Sequence, residues 1–145
     1  MGAVFGMLAG FYYWIGKITG YQYDEVLGKV HFWTLFIGVN VTFFVQHFLG
    51  LAGMPRRIPD YPDTYFFWNL ISSYGSIISL VASIVFFYVV YRMFVDAKPV
   101  PGAQWQIKEF FGQELEKSNT LEWELTSPPV LHTYNQLPCV IQPTK

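Results

Sequence analysis

Two long uncharged runs constrain the fold of this chain more than any other feature. Residues 30–55 and 64–91 contain no Asp, Glu, Lys or Arg, and each exceeds the roughly 20 residues that a helix needs to cross a bilayer. Only 13% of the 145 residues are charged, compared with about 25% in soluble domains. We therefore predict two transmembrane helices, near residues 28–52 and 64–93, and exclude a soluble enzyme.

The first 16 residues are also uncharged, but they are too few for a complete crossing. This segment is interpreted as a short core helix, a signal-like segment or the end of a longer helix. Aromatic residues crowd the ends of the apolar segments, as in the interfacial belts of membrane proteins. These residues are Tyr12, Tyr13, Trp14, Phe32, Trp33, Tyr65, Phe66, Phe67, Trp68, Tyr88 and Tyr91.

Basic residues predict the orientation of the chain in the membrane. Residues 17–29 carry two lysines, and the region after the second run carries Arg92, Lys98, Lys108 and Lys117. The positive-inside tendency places both of these regions inside and the 54–63 loop outside. Arg56 and Arg57 lie in that outer loop against the tendency, which favours a functional reason for their presence.

The arginine pair is the strongest candidate for a binding site. Arg56 and Arg57 stand at the mouth of an apolar run. A guanidinium stays charged at any working pH and matches a carboxylate or phosphate with a rigid donor fork. The pair therefore predicts an anionic partner.

The composition excludes two further possibilities. A net charge of −1 argues against nucleic acid as a partner. A single cysteine, Cys139, excludes an intrachain disulfide.

Polar residues recur on one face of each apolar run. Thr42 and Gln46 are four residues apart and share a helix face, as do Ser72, Ser76, Ser79 and Ser83. Small hydroxyl residues on one face are typical of close helix packing with local hydrogen bonds. A polar lane for water or protons is the alternative interpretation.

Single polar residues indicate weaker candidate sites. His31 is interpreted as a structural histidine or as part of a proton lane, and a metal or heme ligand role is an alternative for His47. Asp60 and Asp63, together with backbone carbonyls such as that of Pro59, could offer oxygen ligands to a hard cation such as calcium.

The C-terminal region has a different character from residue 96 onward. Residues 98–102 contain two prolines and a glycine, which break the helix. Residues 104–117 are predicted to form an amphipathic helix, and the region after residue 120 is expected to lie along another subunit. We predict a transmembrane segment, residues 1–95, and a peripheral tail, residues 96–145.

Several strings resemble one known family. The most specific is Met54-Pro-Arg-Arg-Ile-Pro-Asp-Tyr-Pro-Asp63. The others are Gly20-Tyr21, His31-Phe-Trp33, Phe36-Ile-Gly-Val-Asn40, Thr42-Phe-Phe44, Gln46-His-Phe-Leu-Gly50, Trp68-Asn-Leu-Ile-Ser-Ser73, Leu121-Glu-Trp123, Ser127-Pro-Pro129 and His132-Thr133. Together they resemble the C-terminal part of cytochrome c oxidase subunit 1, the core of the heme-copper oxidases, over residues 1–95 and 119–138.

The resemblance implies an all-α transmembrane fold with an extended C-terminal tail. The chain would supply the inner half of helix ten, up to about Gly16, and all of helices eleven and twelve. Arg56 and Arg57 would bind the propionates of heme a and heme a3, and the Pro59 carbonyl would contribute to a calcium or sodium site. The family's proposed proton lane beside heme a maps onto His31, Thr42, Gln46, Ser76 and Ser79.

The chain also departs from the family pattern. The histidines that ligate heme, the copper ligands, the crosslinked tyrosine and the main proton-channel acids correspond to positions upstream of Met1. The axial and copper ligands are therefore expected on a partner chain, with no catalytic residue in this one. Val45 stands where the family usually has proline, which predicts a straighter helix because proline removes a backbone hydrogen bond.

The resemblance implies a C-terminal fragment of the catalytic core subunit, in a complex that pumps protons while it reduces oxygen to water. The expected partners are an N-terminal fragment of subunit 1, other subunits including subunits 2 and 3, and membrane lipid. We expect a split subunit in the mitochondrial inner membrane. A truncated piece of a longer chain and the bacterial plasma membrane are the alternatives. The alternative function is a non-catalytic membrane scaffold or assembly protein derived from that subunit.

Overall fold

The computed structural model describes residues 1–100, 121–132 and 134. Their regular elements are helical: α1 (Gly2–Thr19), α2 (Glu25–Leu51), a 3-10 turn (Asp63–Tyr65), α3 (Phe66–Asp96) and the short α4 (Leu121–Glu124). These described segments contain no strand, only one isolated β-bridge. The prediction of an all-α fold is confirmed. The predicted amphipathic helix at 104–117 lies outside the described residues.

Both predicted transmembrane helices are present. Glu25–Leu51 and Asp63–Asp96 are each long and apolar enough to cross a membrane. They begin and end within a few residues of the predicted spans, 28–52 and 64–93. Since α2 runs unbroken through the buried Val45, it keeps the backbone hydrogen bond that a proline would remove.

Local signals at both ends of α2 explain its length. The side chain of Asp24 caps the first turn and accepts hydrogen bonds from the backbone N–H groups of Val26 (2.8 Å) and Leu27 (3.1 Å). At the other end, the Ala52 N–H donates to the Phe48 carbonyl at 3.0 Å. Gly53 then takes a φ of +90°, which glycine adopts without a steric penalty, and the chain turns away from the helix.

Helices α2 and α3 form an antiparallel pair whose backbones approach closely through small residues. A Cβ added at Gly38 would lie 2.8 Å from the Ser79 nitrogen, and one added at Gly75 would lie 2.5 Å from the Thr42 nitrogen. Only glycine fits at such distances. Small residues at the contact are the usual means of packing transmembrane helices, because dispersion contacts improve as the backbones approach.

Aromatic contacts extend the α2–α3 contact in both directions. The rings of His31 and Phe86 lie 5.3 Å apart near one end, and those of Phe48 and Trp68 lie 5.1 Å apart near the other. Most large apolar side chains of the two helices instead point outward. Among those exposed are Phe32, Trp33, Phe36, Phe44, Phe67, Ile77, Leu80, Ile84 and Phe87. Such outward faces suit lipid or neighbouring apolar helices.

The described chain divides into two compact units. One contains Met1 and residues 23–95, and the other contains residues 2–22 and the described residues from 96 onward. In the second unit, helix α1 contacts the tail. The predicted division into a membrane segment, 1–95, and a peripheral tail, 96–145, stays a prediction, because no contact in the structure reports on the membrane boundary.

Polar contacts hold the tail against the C-terminal half of α1. The buried Lys17 ammonium donates to the carbonyls of Leu125 (2.5 Å) and Thr126 (3.2 Å). The Trp14 indole N–H donates to the Glu122 carboxylate at 2.7 Å. The segment 121–126 is therefore tied to α1 through one cation and one indole.

The turn after α1 also contacts the tail. Gly20 has a φ of +76°, and a Cβ there would lie 2.7 Å from the Pro128 ring. The Gln22 N–H donates to the Lys98 carbonyl, and the Val100 N–H donates to the Gly20 carbonyl, both at 2.9 Å. These bonds and the close approach at Gly20 fix residues 20–22 against two separate parts of the tail.

Candidate arginine site

The predicted arginine pair lines a cavity in the unit that contains α2 and α3. The cavity has a volume of about 850 Å³ and lies where the end of α2, the following loop and the start of α3 meet. Its lining residues are Phe43, Gln46, His47, Leu49, Gly50, Leu51, Met54, Pro55, Arg56, Arg57, Ile58 and Asn69. Both arginines are exposed, so a ligand can reach their guanidinium groups.

The lining combines cationic donors with apolar walls. Arg56 and Arg57 supply two positive charges, Gln46 and Asn69 supply amides, and no acidic residue is among the lining residues. Most of the remaining wall is aromatic or aliphatic. Such a cavity suits an amphiphilic anion, in which a large apolar body carries carboxylates that accept charge-assisted hydrogen bonds.

The backbone at the arginine pair is unusual. Arg57 has a φ of +59°, in the left-handed region that only a few per cent of non-glycine residues occupy. Such a conformation costs of order 1–3 kcal/mol and persists where the surrounding structure imposes it. The contacts that hold the loop are therefore part of the site.

Tyr65, the last residue of the 3-10 turn, and Asn69, near the start of α3, hold that loop. The Tyr65 hydroxyl donates to the Ala52 carbonyl at 2.9 Å. The side-chain amide of Asn69 donates to the Tyr65 carbonyl at 2.9 Å and contacts the Met54 sulfur at 3.5 Å. The Met54 N–H also donates to the Leu49 carbonyl at 3.0 Å. These contacts fix the loop on the N-terminal side of the arginine pair.

Sequence reasoning missed Tyr65 and Asn69. The sequence marked Tyr65 only as an interfacial aromatic and Asn69 only as part of the Trp68-Asn-Leu-Ile-Ser-Ser73 string. Two of the three atoms that these side chains contact are the backbone carbonyls of Ala52 and Tyr65, and any residue type supplies a carbonyl. The available signal was the placement of both residues at the start of the second apolar run, immediately after the arginine loop.

His47 contributes to the cavity wall. Its Nδ1 lies 3.0 Å from the Phe43 carbonyl and 3.3 Å from the Phe44 carbonyl. A carbonyl only accepts hydrogen bonds, so we assign the proton to Nδ1. The Nε2 atom of His47 is then an acceptor in the neutral imidazole.

Two predicted lane residues are brought together through a third residue. The Gln46 amide donates to the Ser72 hydroxyl at 3.2 Å, and that hydroxyl donates to the Thr42 carbonyl at 3.0 Å. Ser72 is buried between the helices. It belongs to the polar face identified in the sequence, but the family's lane did not include it.

The other lane residues are placed separately. His31 is only 2% exposed and packs against the Phe86 ring. The hydroxyls of Ser76 and Ser79 donate to carbonyls of their own helix, at Ser73 (2.7 Å) and Gly75 (3.1 Å). Ser76 is exposed, whereas Ser79 adjoins the α2 backbone. The proton lane stays a prediction.

The cation site also stays a prediction. Pro59 and Asp60 are exposed, and one Asp60 carboxylate oxygen accepts from the Tyr61 N–H at 2.9 Å. Among the residues that the structure describes, no group of three or more His, Cys, Asp or Glu side chains could hold a metal ion. A cation at Pro59 would therefore need backbone carbonyls or ligands from a partner.

Comparison with known proteins decides the family. The family described as cytochrome c and quinol oxidase polypeptide I matches residues 1–78. The chain belongs to this family. Cytochrome c oxidase subunit 1 of Yarrowia lipolytica is 51% identical over 142 residues, which cover 93% of this chain and 26% of that protein.

Two further relatives carry the same name. Cytochrome c oxidase subunit 1 of Cereibacter sphaeroides is 48% identical, covering 95% of this chain and 23% of the relative. That of Eremothecium gossypii is 40% identical, covering 93% and 27%. The chain spans about a quarter of the length of these relatives. The resemblance to the C-terminal portion of the oxidase polypeptide I family is confirmed.

Proposed function

We propose that this chain forms part of the core subunit of a cytochrome c oxidase, in which Arg56 and Arg57 hold the propionates of heme a and heme a3. The observation that carries the proposal is the position of both arginines on the wall of one cavity of about 850 Å³. Membership of the oxidase polypeptide I family supports the choice of heme as the ligand.

The residues present fit a heme edge. A heme has a broad apolar ring and two propionate carboxylates, and the cavity offers apolar walls beside two guanidinium groups. A guanidinium binds a carboxylate through charge-assisted hydrogen bonds, which are roughly twice as strong as neutral ones. The arginines would bind and orient the propionates, and their positive charge would favour the reduced heme over the oxidised heme.

The heme, when bound, supplies electron-transfer chemistry, and this chain supplies propionate contacts. The axial and copper ligands would lie in the N-terminal part of subunit 1, either on a separate partner or within a longer form of this chain. The complete complex, with other subunits including 2 and 3, would oxidise cytochrome c, reduce oxygen to water and pump protons. Calcium or sodium at Pro59 is part of this proposal.

The membrane is the second element of the proposal. Two helices of this chain have the length and hydropathy of membrane spans, and two of the relatives named above are fungal. The mitochondrial inner membrane is therefore the proposed location. A bacterial relative is nearly as similar, so the bacterial plasma membrane is the alternative.

We also propose a polar lane for protons beside heme a. Its residues would be His31, Thr42, Gln46, Ser76 and Ser79. Its support is the bridge from Gln46 through Ser72 to the Thr42 carbonyl. Gln46 also lines the arginine cavity, so the bridge would begin beside the proposed propionates.

The test of the propionate contacts is Arg57→Gln in the purified membrane complex. Removal of a positive charge beside the heme stabilises the oxidised form, so the midpoint potential of heme a should fall, or the heme content per chain should drop. Arg92→Gln removes the same charge from α3, where the Arg92 guanidinium donates to the Tyr88 hydroxyl at 3.4 Å, and should leave both values unchanged. Unchanged heme potential and content in Arg57→Gln would contradict the proposal.

A further inference from the structure

We infer that Tyr65 and Asn69 are positioning residues that set the placement of the arginine pair toward its anionic ligand. The inference rests on the proposed function, because the ligand it invokes is the heme carboxylate. It assigns a role to Tyr65, in the 3-10 turn, and to Asn69, in α3, which carry no positive charge and lie outside the arginine motif itself.

The first step is the hydroxyl of Tyr65. It donates to the carbonyl of Ala52 at 2.9 Å, across 13 positions of sequence. Ala52 is the C-cap of α2, so this bond joins the end of one transmembrane helix to the beginning of the next. The loop that carries the arginines spans the interval between these two residues.

The second step is the side-chain amide of Asn69. One contact, to the Tyr65 carbonyl at 2.9 Å, fixes the backbone that orients the tyrosine. The other, to the Met54 sulfur at 3.5 Å, reaches the loop two residues before Arg56. Asn69 and Met54 both line the cavity, so this contact forms part of the wall that the ligand would meet.

The third step is the backbone of the loop. Arg57 adopts a left-handed conformation at φ +59°, which the isolated residue disfavours. Loss of a tether would let the loop relax toward ordinary dihedral angles and would move the guanidinium groups. Because the attraction between opposite charges falls with distance, such a displacement should weaken the effect of the arginines on the ligand.

The experiment measures the heme a midpoint potential in the purified complex for Tyr65→Phe, Arg57→Gln and the double variant. Tyr65→Phe keeps the ring and removes only the hydroxyl. We expect a fall in potential that is smaller than that of Arg57→Gln. In the double variant the total fall should be less than the sum of the two single falls, since Tyr65 acts through Arg57 as well as Arg56. Tyr74→Phe, in α3 at a residue 59% exposed, should match the wild type.

A second readout does not depend on electron transfer. Trypsin cleaves after arginine, and a loosened loop should be cut after Arg57 faster in Tyr65→Phe than in Tyr74→Phe. If Tyr65→Phe does not accumulate, Asn69→Ala, which removes the other tether, is assayed with the same two expectations.

The possible outcomes separate the two proposals. A heme potential that shifts in Arg57→Gln but not in Tyr65→Phe, or that shifts additively in the double variant, overturns the positioning role alone. A wild-type complex that contains no heme, or an Arg57→Gln variant identical to the wild type, overturns the proposed function and the positioning role with it.

Discussion

The contacts inside one unit of this chain differ in kind from the contacts inside the other. In the unit of α2 and α3, backbones meet at Gly38 and Gly75, where an added Cβ would lie within 3 Å of the opposing helix. In the unit of α1 and the tail, long side chains such as Lys17 and Trp14 reach partners 108 or more positions away.

The difference follows from the chemical groups that meet in each contact. Lipid is as apolar as a leucine side chain, so helices within a membrane gain little from burying apolar surface and depend on close packing. In the contact between α1 and the tail, the Lys17 ammonium satisfies two backbone carbonyls, and the Trp14 indole donates to the Glu122 carboxylate. A buried donor or acceptor that loses its partner is costly. Added side-chain volume should therefore destabilise the contact between α2 and α3, whereas loss of a hydrogen-bond donor should destabilise the contact between α1 and the tail.

The largest expected effect breaks the close contact. In Gly75→Ala the new methyl group would overlap the Thr42 backbone, at 2.5 Å from its nitrogen, and backbone cannot move aside as a flexible side chain can. Overpacking costs about 1–3 kcal/mol, so the thermal unfolding midpoint and yield of the complex should fall. Gly6→Ala is the matched control, since a Cβ there meets nothing within 4 Å. Equal midpoints for the two variants would contradict the packing account.

A smaller and local effect is expected in the other unit. Lys17→Met keeps the length of the side chain but leaves the carbonyls of Leu125 and Thr126 without their ammonium donor, at a cost of about 1–3 kcal/mol. Hydrogen exchange in peptides covering 121–128 should accelerate, while exchange in α2 and α3 stays unchanged.

Lys29→Met is the control for that variant. Lys29 pairs with Glu25 at 3.6 Å, and its side chain is 72% exposed, so its removal should have little effect. If Lys17→Met leaves the exchange of residues 121–128 unaltered, or alters α2 and α3 equally, the tail does not depend on the Lys17 contacts.

The sequence predicted the transmembrane helices because the absence of charge over residues 30–55 and 64–91 admits few alternatives. It marked Arg56 and Arg57 as a candidate site because a guanidinium pairs well with a carboxylate or phosphate, and the anion at this site stays a prediction. Both predictions depend on residue type alone, and this is the kind of information a single sequence carries directly.

Details of contact were harder to predict. The sequence placed Ser72, Ser76, Ser79 and Ser83 on one face, but the line of contact runs through Ser72, Gly75 and Ala82, which are buried, while Ser76 is exposed. The spacing of residues predicts which face of a helix they share. Where on that face the two backbones approach most closely depends on where the partner helix has its own small residues.

Contacts from side chains to backbone atoms could not be predicted from the sequence. Tyr65 donates to a carbonyl, and so does Lys17, and every residue type provides a carbonyl. The sequence therefore assigned Tyr65 to an aromatic belt and Lys17 to the orientation signal. Their partners became visible only once the fold had brought the two parts of the chain together.

The most direct test of the central claim is native purification of the chain from its own membrane, followed by heme spectroscopy and mass spectrometry. Our account predicts stoichiometric heme a together with polypeptide that supplies the rest of oxidase subunit 1, either as a separate partner or within a longer form of this chain. Recovery of the chain without heme and without oxidase subunits would contradict the account and would favour a membrane scaffold.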